Sequence, residues 1–461
     1  MTRSFRQEQG FPSRGAAGAP AAGAPAASGA ILGRLRRGTF ALVIAVASTS
    51  LAYGSTEESL EAVAECLRQL RDGAPHGVVV QELRQLGPDQ APLLLGILAG
   101  TEPLPPDTSG PLLSPATEPL FLEAMADWPT EAIFESVAQL ESVSGTRGTL
   151  LLLRVLGALG DRNALRLFFD VLDRVPQQIQ QHPSIAPKIE QSLAGILRRD
   201  PHAHLTVSSR LRELGVPTLM RIAQAVAQAS APQGPALLES LTGRNTQLDL
   251  VVLESLGSWS PARLDCEDFA AAEIALRFLD SAQELTRARA ASTLGKLRHS
   301  PAIPLLIELL DDRDPRVARA AHWAITQTVA GPRSDDAETW RAWLASEQEW
   351  FTDSGELLRI ASHEEAGAAV RALRELSEHP LYKFELVEGL ARAIHNPSAP
   401  VAVAACGTLA ALNAPCGVRP LVDALEDPRA DVRNAAERAL AGMTGEVLPK
   451  APQAWRQWLS D

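Results

Sequence analysis

The spacing of apolar positions predicts short paired helices along most of the chain from residue 55 onward. In "RARAASTLGKL" (287–297), small and apolar residues recur at i, i+3, i+4 and i+7, which places them on one helical face. The break "HSP" (299–301) precedes a second apolar helix, "AIPLLIELL" (302–310). The polar run "DDRDP" (311–315) ends that helix and starts the next pair.

This helical pattern is duplicated within the chain. Segment 288–344 aligns without a gap on 403–459, at a constant offset of 115 residues that pairs Leu306 with Leu421. A chance match would not keep one offset over several helices, so we infer an internal duplication. One such helix pair cannot bury both of its faces, and stacking on neighbouring pairs is therefore expected.

Each copy ends in the same tryptophan motif. Although the chain has only 8 tryptophans, Trp-Arg-x-Trp-Leu occurs at Trp340 and Trp343 and again at Trp455 and Trp458. A spacing of three places both rings of a motif on one face of a short helix. The motifs either seal the apolar end of their module or expose an aromatic pair that binds a peptide or a glycan.

The repeated segments resemble the HEAT repeat. That family's Asp-Pro turn, Val-Arg and paired alanines are present in "DPRADVRNAAERALAGM" (427–443) and, less completely, in "DPRVARAAHWAI" (314–325). The second-helix pattern recurs in "LGKLRHSPAIPLLIELLDD" (294–312) and "LAALNAPCGVRPLVDALED" (409–427). The resemblance, which includes bacterial HEAT-repeat proteins, implies an all-α fold, an α-solenoid of stacked helix pairs forming a HEAT/armadillo-like superhelix.

The patterns divide the chain into five predicted regions. One continuous solenoid from about residue 55 is favoured, and two shorter solenoids joined near 100–118 are the alternative. The regions are a disordered Ala/Gly/Pro-rich leader (1–30), a signal peptide or membrane anchor (31–54), divergent helical repeats (55–285), a HEAT module ending in a Trp-x-x-Trp helix (286–350) and a second such module (355–461).

The region before residue 55 has the layout of a secretory signal. Arginines precede an apolar run from Phe40 to Ala47, and small residues follow at Ser50 and Ala52. The run is shorter than the roughly 20 apolar residues of a transmembrane helix. We expect export to the periplasm or cell envelope. An uncleaved anchor, which would be the only membrane contact, and a cytoplasmic protein are the alternatives.

Charge argues against a nucleic-acid partner. The whole chain carries a net charge of −12, while residues 1–52 contain six arginines and a single acidic residue. The remainder is therefore more acidic than the total and repels phosphate backbones.

Motifs for catalysis are scarce. The chain has no P-loop, GxSxG or HExxH motif. His363–Glu364 is similar to the His-Glu pairs of deoxyhypusine hydroxylase, a HEAT-repeat enzyme that binds two irons through several such pairs, but here the pair occurs once. His202 and His204 lie two residues apart without a third ligand nearby. We predict no catalytic, cofactor-binding or metal-binding residue.

The four cysteines are expected to be small buried apolar residues. Cys66, Cys266, Cys406 and Cys416 form no CxxC motif. Cys406 is predicted in mid-helix and Cys416 beyond the following turn, farther apart than the roughly 7 Å between α-carbons that a disulfide tolerates.

The resulting functional hypothesis is a non-catalytic scaffold that binds a protein partner along the concave solenoid face. The alternative is a HEAT-repeat enzyme or enzyme accessory, similar to phycobilin lyases or to metal-dependent oxygenases.

Overall fold

Residues 53–103, 118–141, 146–231, 233–259, 269–363, 365–449 and 451–460 are described by the structure, a computed structural model. The chain divides into two compact units, residues 1–55 and 56–461, and the helical fold is that of the second unit. None of the described residues is in a β-strand. The predicted leader (1–30) lies outside the described residues, as do most of the predicted signal segment and most of the 100–118 linker.

Twenty-four α-helices are described. In chain order they are α1 (Tyr53–Arg71), α2 (His76–Gln85), α3 (Ala91–Ala99), α4 (Glu118–Met125), α5 (Thr130–Glu141), α6 (Thr146–Leu159), α7 (Ala164–Leu172), α8 (Gln177–Gln180), α9 (Ala186–Arg199), α10 (Ala203–Arg210), α11 (Val216–Ala229), α12 (Gly234–Leu241), α13 (Thr246–Leu256), α14 (Ala270–Leu276), α15 (Glu284–Lys296), α16 (Ile303–Glu308), α17 (Pro315–Thr328), α18 (Ala337–His363), α19 (Ala366–Leu376), α20 (Lys383–Ile394), α21 (Ala399–Leu412), α22 (Val418–Ala424), α23 (Ala430–Thr444) and α24 (Pro452–Ser460). Short 3₁₀ turns lie at Pro88–Gln90, Ser300–Ala302, Leu309–Asp311, Pro380–Tyr382 and Pro415–Gly417.

The helices stack as two layers. The first helices of successive pairs, α6, α9, α11, α13, α15 and α17, pack on one another in chain order. The second helices α7, α10, α12 and α14 contact one another in succession, as do α16 and α18. The predicted all-α solenoid of stacked helix pairs is therefore confirmed.

Small residues let the first helices approach closely. A β-carbon on Gly295 of α15 would lie 2.6 Å from the Cα of Ala324 on α17. A β-carbon on Gly157 of α6 would lie 2.4 Å from the Cα of Ser192 on α9. These crossings bury apolar side chains from both helices, so the position of each small residue sets where its helix meets the next.

The Asp-Pro turn starts α17 as its sequence predicts. The Asp314 carboxylate accepts a hydrogen bond from the backbone N–H of Arg316 (2.8 Å), and Pro315 occupies the first turn, where its missing N–H costs nothing. The Arg316 guanidinium and, less strongly, this backbone bond lower the pKa of Asp314 to about 2.

A series of ion pairs joins successive second helices. In each pair the arginine belongs to the later helix or the residue just after it, and the carboxylate belongs to the earlier helix or to the turn that follows it. Exposed pairs of this kind contribute about 1 kcal/mol or less each, but their shared direction favours one register of stacking. The pairs are Arg210–Asp170, Arg277–Glu239, Arg341–Asp311 and Arg456–Glu426.

The buried apolar side chains form two separate cores. The first extends from Val63 to Trp340 and also includes Leu381, and the second extends from Ala361 to Trp455. The long helix α18 spans the gap between them, so the predicted module boundary at 350–355 lies inside a continuous helix. We call the helices before α18, together with its first turns, the first module, and the remainder the second module.

The cysteine expectation is wrong for one residue. Cys66 and Cys406 are buried free thiols, and burial raises the pKa of each to about 11. Cys416 instead is disulfide-bonded. It lies in the 3₁₀ turn at the edge of the second module, whereas Cys406 lies inside α21. Cys266 lies outside the described residues.

We predict that Gly157→Ala destabilises the protein by about 1–3 kcal/mol, because the added methyl group would overlap the α9 backbone. Urea unfolding followed by circular dichroism measures the change. Gly407→Ala on α21 is the matched control, since its β-carbon would meet nothing within 4 Å. The control should be neutral or stabilising by up to about 1 kcal/mol. Equal unfolding midpoints for the two variants would contradict close packing at the α6–α9 crossing.

Candidate functional site

The first tryptophan motif lies in the first turns of α18. Asp336 accepts hydrogen bonds from the backbone N–H and the hydroxyl of Thr339, both at 2.8 Å, and so caps the helix. Trp340 is fully buried, and its Nε1 donates to the Ser334 carbonyl at 2.7 Å. Its ring meets Trp343 edge to face at 5.5 Å. The motif thereby forms the end of the first core.

The segment before α18 is shaped to the buried ring. A β-carbon on Gly331 would lie 2.4 Å from the six-membered ring of Trp340, so only glycine fits there without movement. The Nε2 of His322 on α17 lies 3.2 Å from the same Ser334 carbonyl oxygen that Trp340 binds. These contacts hold the connecting segment against the ring.

The second motif occupies the equivalent place in the second core. Trp455 on α24 is 1% exposed and meets Trp458 edge to face at 5.8 Å. The two copies differ in one polar contact, because the buried Nε1 of Trp455 finds no acceptor among the described residues. Trp343 and Trp458 are half-buried. This burial favours sealing over ligand binding, and sealing stays a prediction.

Sequence reasoning missed the role of the arginine inside each motif. Arg341 binds Asp311 beyond α16, and Arg456 binds Glu426 beyond α22. The two pairs are equivalent under the 115-residue offset. The sequence signal for these pairs is that an acidic residue precedes the motif arginine by 30 positions in both copies.

The two modules also meet at a junction, which we define as the contact of Arg298–Ala302 with Pro380–Phe384. The Nζ of Lys383 donates to the Thr328 carbonyl at the end of α17 (2.9 Å) and is fully buried. Burial and, less strongly, the charge of Arg298 lower its pKa from 10.5 to about 7. The junction therefore favours the neutral amine.

An aromatic cluster lies beside this lysine, whose Nζ is 5.7 Å from the centroid of the Phe384 ring. The buried ring of His299 lies 5.1 Å from the ring of Phe269 and 6.0 Å from that of Phe384, centroid to centroid. Burial and the nearby Lys383 lower the pKa of His299 from 6.5 to about 4. The imidazole is therefore neutral at physiological pH.

Equivalent positions of the duplication touch at the same place. Arg298 and Asn413 are related by the 115-residue offset, and both adopt the left-handed conformation, at φ values of 52° and 50°. The Arg298 guanidinium donates to the Asn413 side-chain oxygen at 2.6 Å. A left-handed arginine costs about 1 kcal/mol or more, so this contact helps to hold a strained turn.

Between the cores, α18 carries a polar waist, which we define as residues 345–349. Glu347 is buried there and binds Nδ1 of His379 at 3.0 Å. The His379 ring stacks on Trp350 at 3.6 Å. Burial raises the pKa of Glu347, and the bond to His379 opposes that rise.

The other candidates from the sequence take local roles or lie outside the described residues. The backbone N–H of His202 donates to Asp200 (2.8 Å), and Nδ1 of His204 lies 2.6 Å from the Pro201 carbonyl oxygen, so both belong to a turn. His363 is the last residue of α18, and Glu364 lies outside the described residues. Within the described ranges, no three His, Cys, Asp or Glu residues cluster as metal ligands would.

The HEAT repeats family matches residues 234–337, from the first residue of α12 to the first residue of α18. No curated protein matches the chain. Three similar solved structures have TM-scores too low to support any argument. They are an engineered protein (16% identity, TM-score 0.26, 83% of this chain and 98% of that one), human deoxyhypusine hydroxylase in complex with glycerol (17%, 0.23, 53% and 100%) and Kap121p bound to Pho4p (11%, 0.28, 87% and 43%).

We predict that Trp340→Ala and Trp455→Ala each lower the free energy of unfolding by about 3–5 kcal/mol, because each leaves a large cavity at the end of a core. Thermal and urea unfolding measure the loss. Trp323→Ala, at a tryptophan that is 40% exposed on α17, is the control and should lose less. Unchanged stability together with loss of a bound peptide or glycan would contradict sealing.

Stability should also depend on pH through Lys383. The pKa of Lys383 is 10.5 in the unfolded chain and about 7 in the folded protein, so between these pH values the unfolded chain binds one more proton. Lys383 therefore lowers the free energy of unfolding by its full amount below pH 7, and this loss disappears as pH rises toward 10.5. Lys383→Met should therefore stabilise the protein by about 3 kcal/mol at pH 7 and by much less at pH 10. Urea unfolding at both pH values checks this. The exposed Lys296→Met is the control, and a Lys383→Met gain that is equal at both pH values would contradict the burial argument.

Proposed function

Because residues 234–337 match the HEAT repeats family and the described helices stack in pairs, we propose that the chain is a non-catalytic HEAT-repeat scaffold that binds a protein partner. The proposed site is the surface formed by the second helices, which we assign to the concave face of the solenoid. Stacked repeats present an extended surface of this kind because each pair exposes the same side in turn.

Two exposed leucines on this layer carry the proposal. Leu205 on α10 is 59% exposed and Leu305 on α16 is 45% exposed. Both helices otherwise turn their apolar side chains into the core, as Val207 and Leu306 do. Exposed apolar side chains of this type suit a protein partner better than a small polar ligand.

Export is part of the proposal. The disulfide at Cys416 supports it, because disulfides persist mainly in oxidising compartments outside the cytosol. Among the described residues, no helix is long and apolar enough to cross a membrane. Cell fractionation and amino-terminal sequencing of the mature protein test export, and an unprocessed protein in the cytoplasm would contradict it.

Metal analysis of the purified protein distinguishes the alternative enzyme hypothesis from the scaffold hypothesis. A stoichiometric bound metal would favour an oxygenase-like activity over the scaffold.

We predict that affinity purification from the native organism recovers one stoichiometric protein partner, identified by mass spectrometry. Leu205→Glu and Leu305→Glu together should abolish its recovery by placing charges in the apolar contact. Leu285→Glu is the matched control, because Leu285 is 46% exposed but lies on α15 of the first-helix layer. If the partner is lost with Leu285→Glu but still recovered with the double variant, it binds the first-helix layer instead.

A further inference from the structure

The disulfide at Cys416 restricts the choice of its partner. The chain has four cysteines, of which Cys66 and Cys406 are free thiols and Cys416 is disulfide-bonded. The structure is that of a single chain, so the bonded partner belongs to the same chain. Elimination leaves Cys266, which the sequence places between α13 and α14 of the first module.

The edge of the second module that carries Cys416 lies against the first module. Asn413, three residues before Cys416, accepts a hydrogen bond from the Arg298 guanidinium at 2.6 Å. The 3₁₀ turn that contains Cys416 packs on α20, which begins at the junction. Cys416 is therefore held close to the turn that follows α15.

The described residue nearest in sequence to Cys266 is held at the same place. Phe269, three residues after Cys266, has its ring 5.1 Å from that of His299 and 5.0 Å from that of Phe384, centroid to centroid. His299 follows directly on Arg298, the residue that binds the second module. Three residues of extended chain span about 11 Å at most, and a disulfide needs α-carbons roughly 4.4–6.8 Å apart. The two tethers therefore allow the two cysteines to meet.

We propose that Cys266 and Cys416 form a disulfide that staples the second module to the first beside the junction. The bond closes a loop of about 150 residues that contains α18, and a cross-link of this kind stabilises a fold by restricting the unfolded chain. The position equivalent to Cys416 in the first copy of the duplication is Pro301. The staple thus joins the two copies and is not repeated within them.

The chemistry of the staple is thiol–disulfide exchange. Formation of the bond removes two protons and two electrons from the two thiols, and a disulfide oxidant accepts them and leaves as two thiols. An added dithiol reverses the exchange. The staple does not depend on the proposed protein partner, so the two proposals can fail separately.

Peptide mapping of the full-length protein tests the pairing. Free thiols are alkylated in denaturant, and the cysteines released by later reduction are alkylated with an isotopically heavy reagent. We expect heavy label at Cys266 and Cys416 and light label at Cys66 and Cys406. Because no lysine or arginine separates Cys406 from Cys416, trypsin leaves both in one peptide, and Cys406→Ser is mapped as well to assign the label.

Urea unfolding measures what the staple contributes. Reductant should raise the equilibrium constant for unfolding of the wild-type protein by about 30- to 1,000-fold. Cys266→Ala and Cys416→Ala should each reproduce the reduced protein and lose the response to reductant, and the double variant should lose no further stability. Cys66→Ala, at a buried free thiol, is the matched control and should keep the response.

Three results would overturn the proposal. The first is heavy label at any other pair of cysteines, or at Cys416 in the Cys266→Ala variant. The second is that both thiols stay free after treatment with glutathione disulfide. The third is an unfolding curve that reductant leaves unchanged although the bond is mapped. The mapping uses the wild-type protein, so the pairing is decided even where a variant does not fold.

Discussion

The stacking of this protein depends on one constraint: a single helix pair cannot bury its own apolar face. Each first helix buries its small and apolar residues against the first helices before and after it, and the crossings at Gly157 and Gly295 bring those backbones close. Neighbours satisfy this requirement within the stack but not at its ends. The tryptophan motifs lie where the two cores end, with Trp340 and Trp455 among the largest fully buried side chains of the described residues.

The ends of the two cores differ in their surroundings, so the two copies of the tryptophan motif do not have the same contacts. After the first motif the helix continues, and α19 and α20 pack against it. The buried indole of Trp340 has an acceptor, whereas that of Trp455 has none among the described residues. An unpaired buried N–H costs about 1–3 kcal/mol. The sequence duplication is thus accompanied by unequal polar contacts at the two buried indoles.

Much of the fold was predictable because it depends on local chemistry. The Asp-Pro start of α17, the paired alanines and the leucine spacing each act within one or two helical turns, so they are legible in a single sequence. Contacts between distant segments were not. Nothing local marks Lys383 as buried, since its side-chain amine donates to a carbonyl 55 residues away. The continuity of α18 was equally hidden, because its waist is polar and looks like a linker.

The candidate site was predictable only in part, for the same physical reason. Scarce tryptophans at a constant offset singled out four residues in the sequence. The burial of Trp340 depends in addition on Gly331 and Ser334, which no sequence pattern links to it. The junction had no sequence signal, because a buried base with no acid partner resembles any other lysine or histidine in a polar run. Burial without a counter-charge is costly, so such groups weaken the contact that contains them. The junction therefore carries a destabilising buried amine between two apolar cores that end at Trp340 and Trp455.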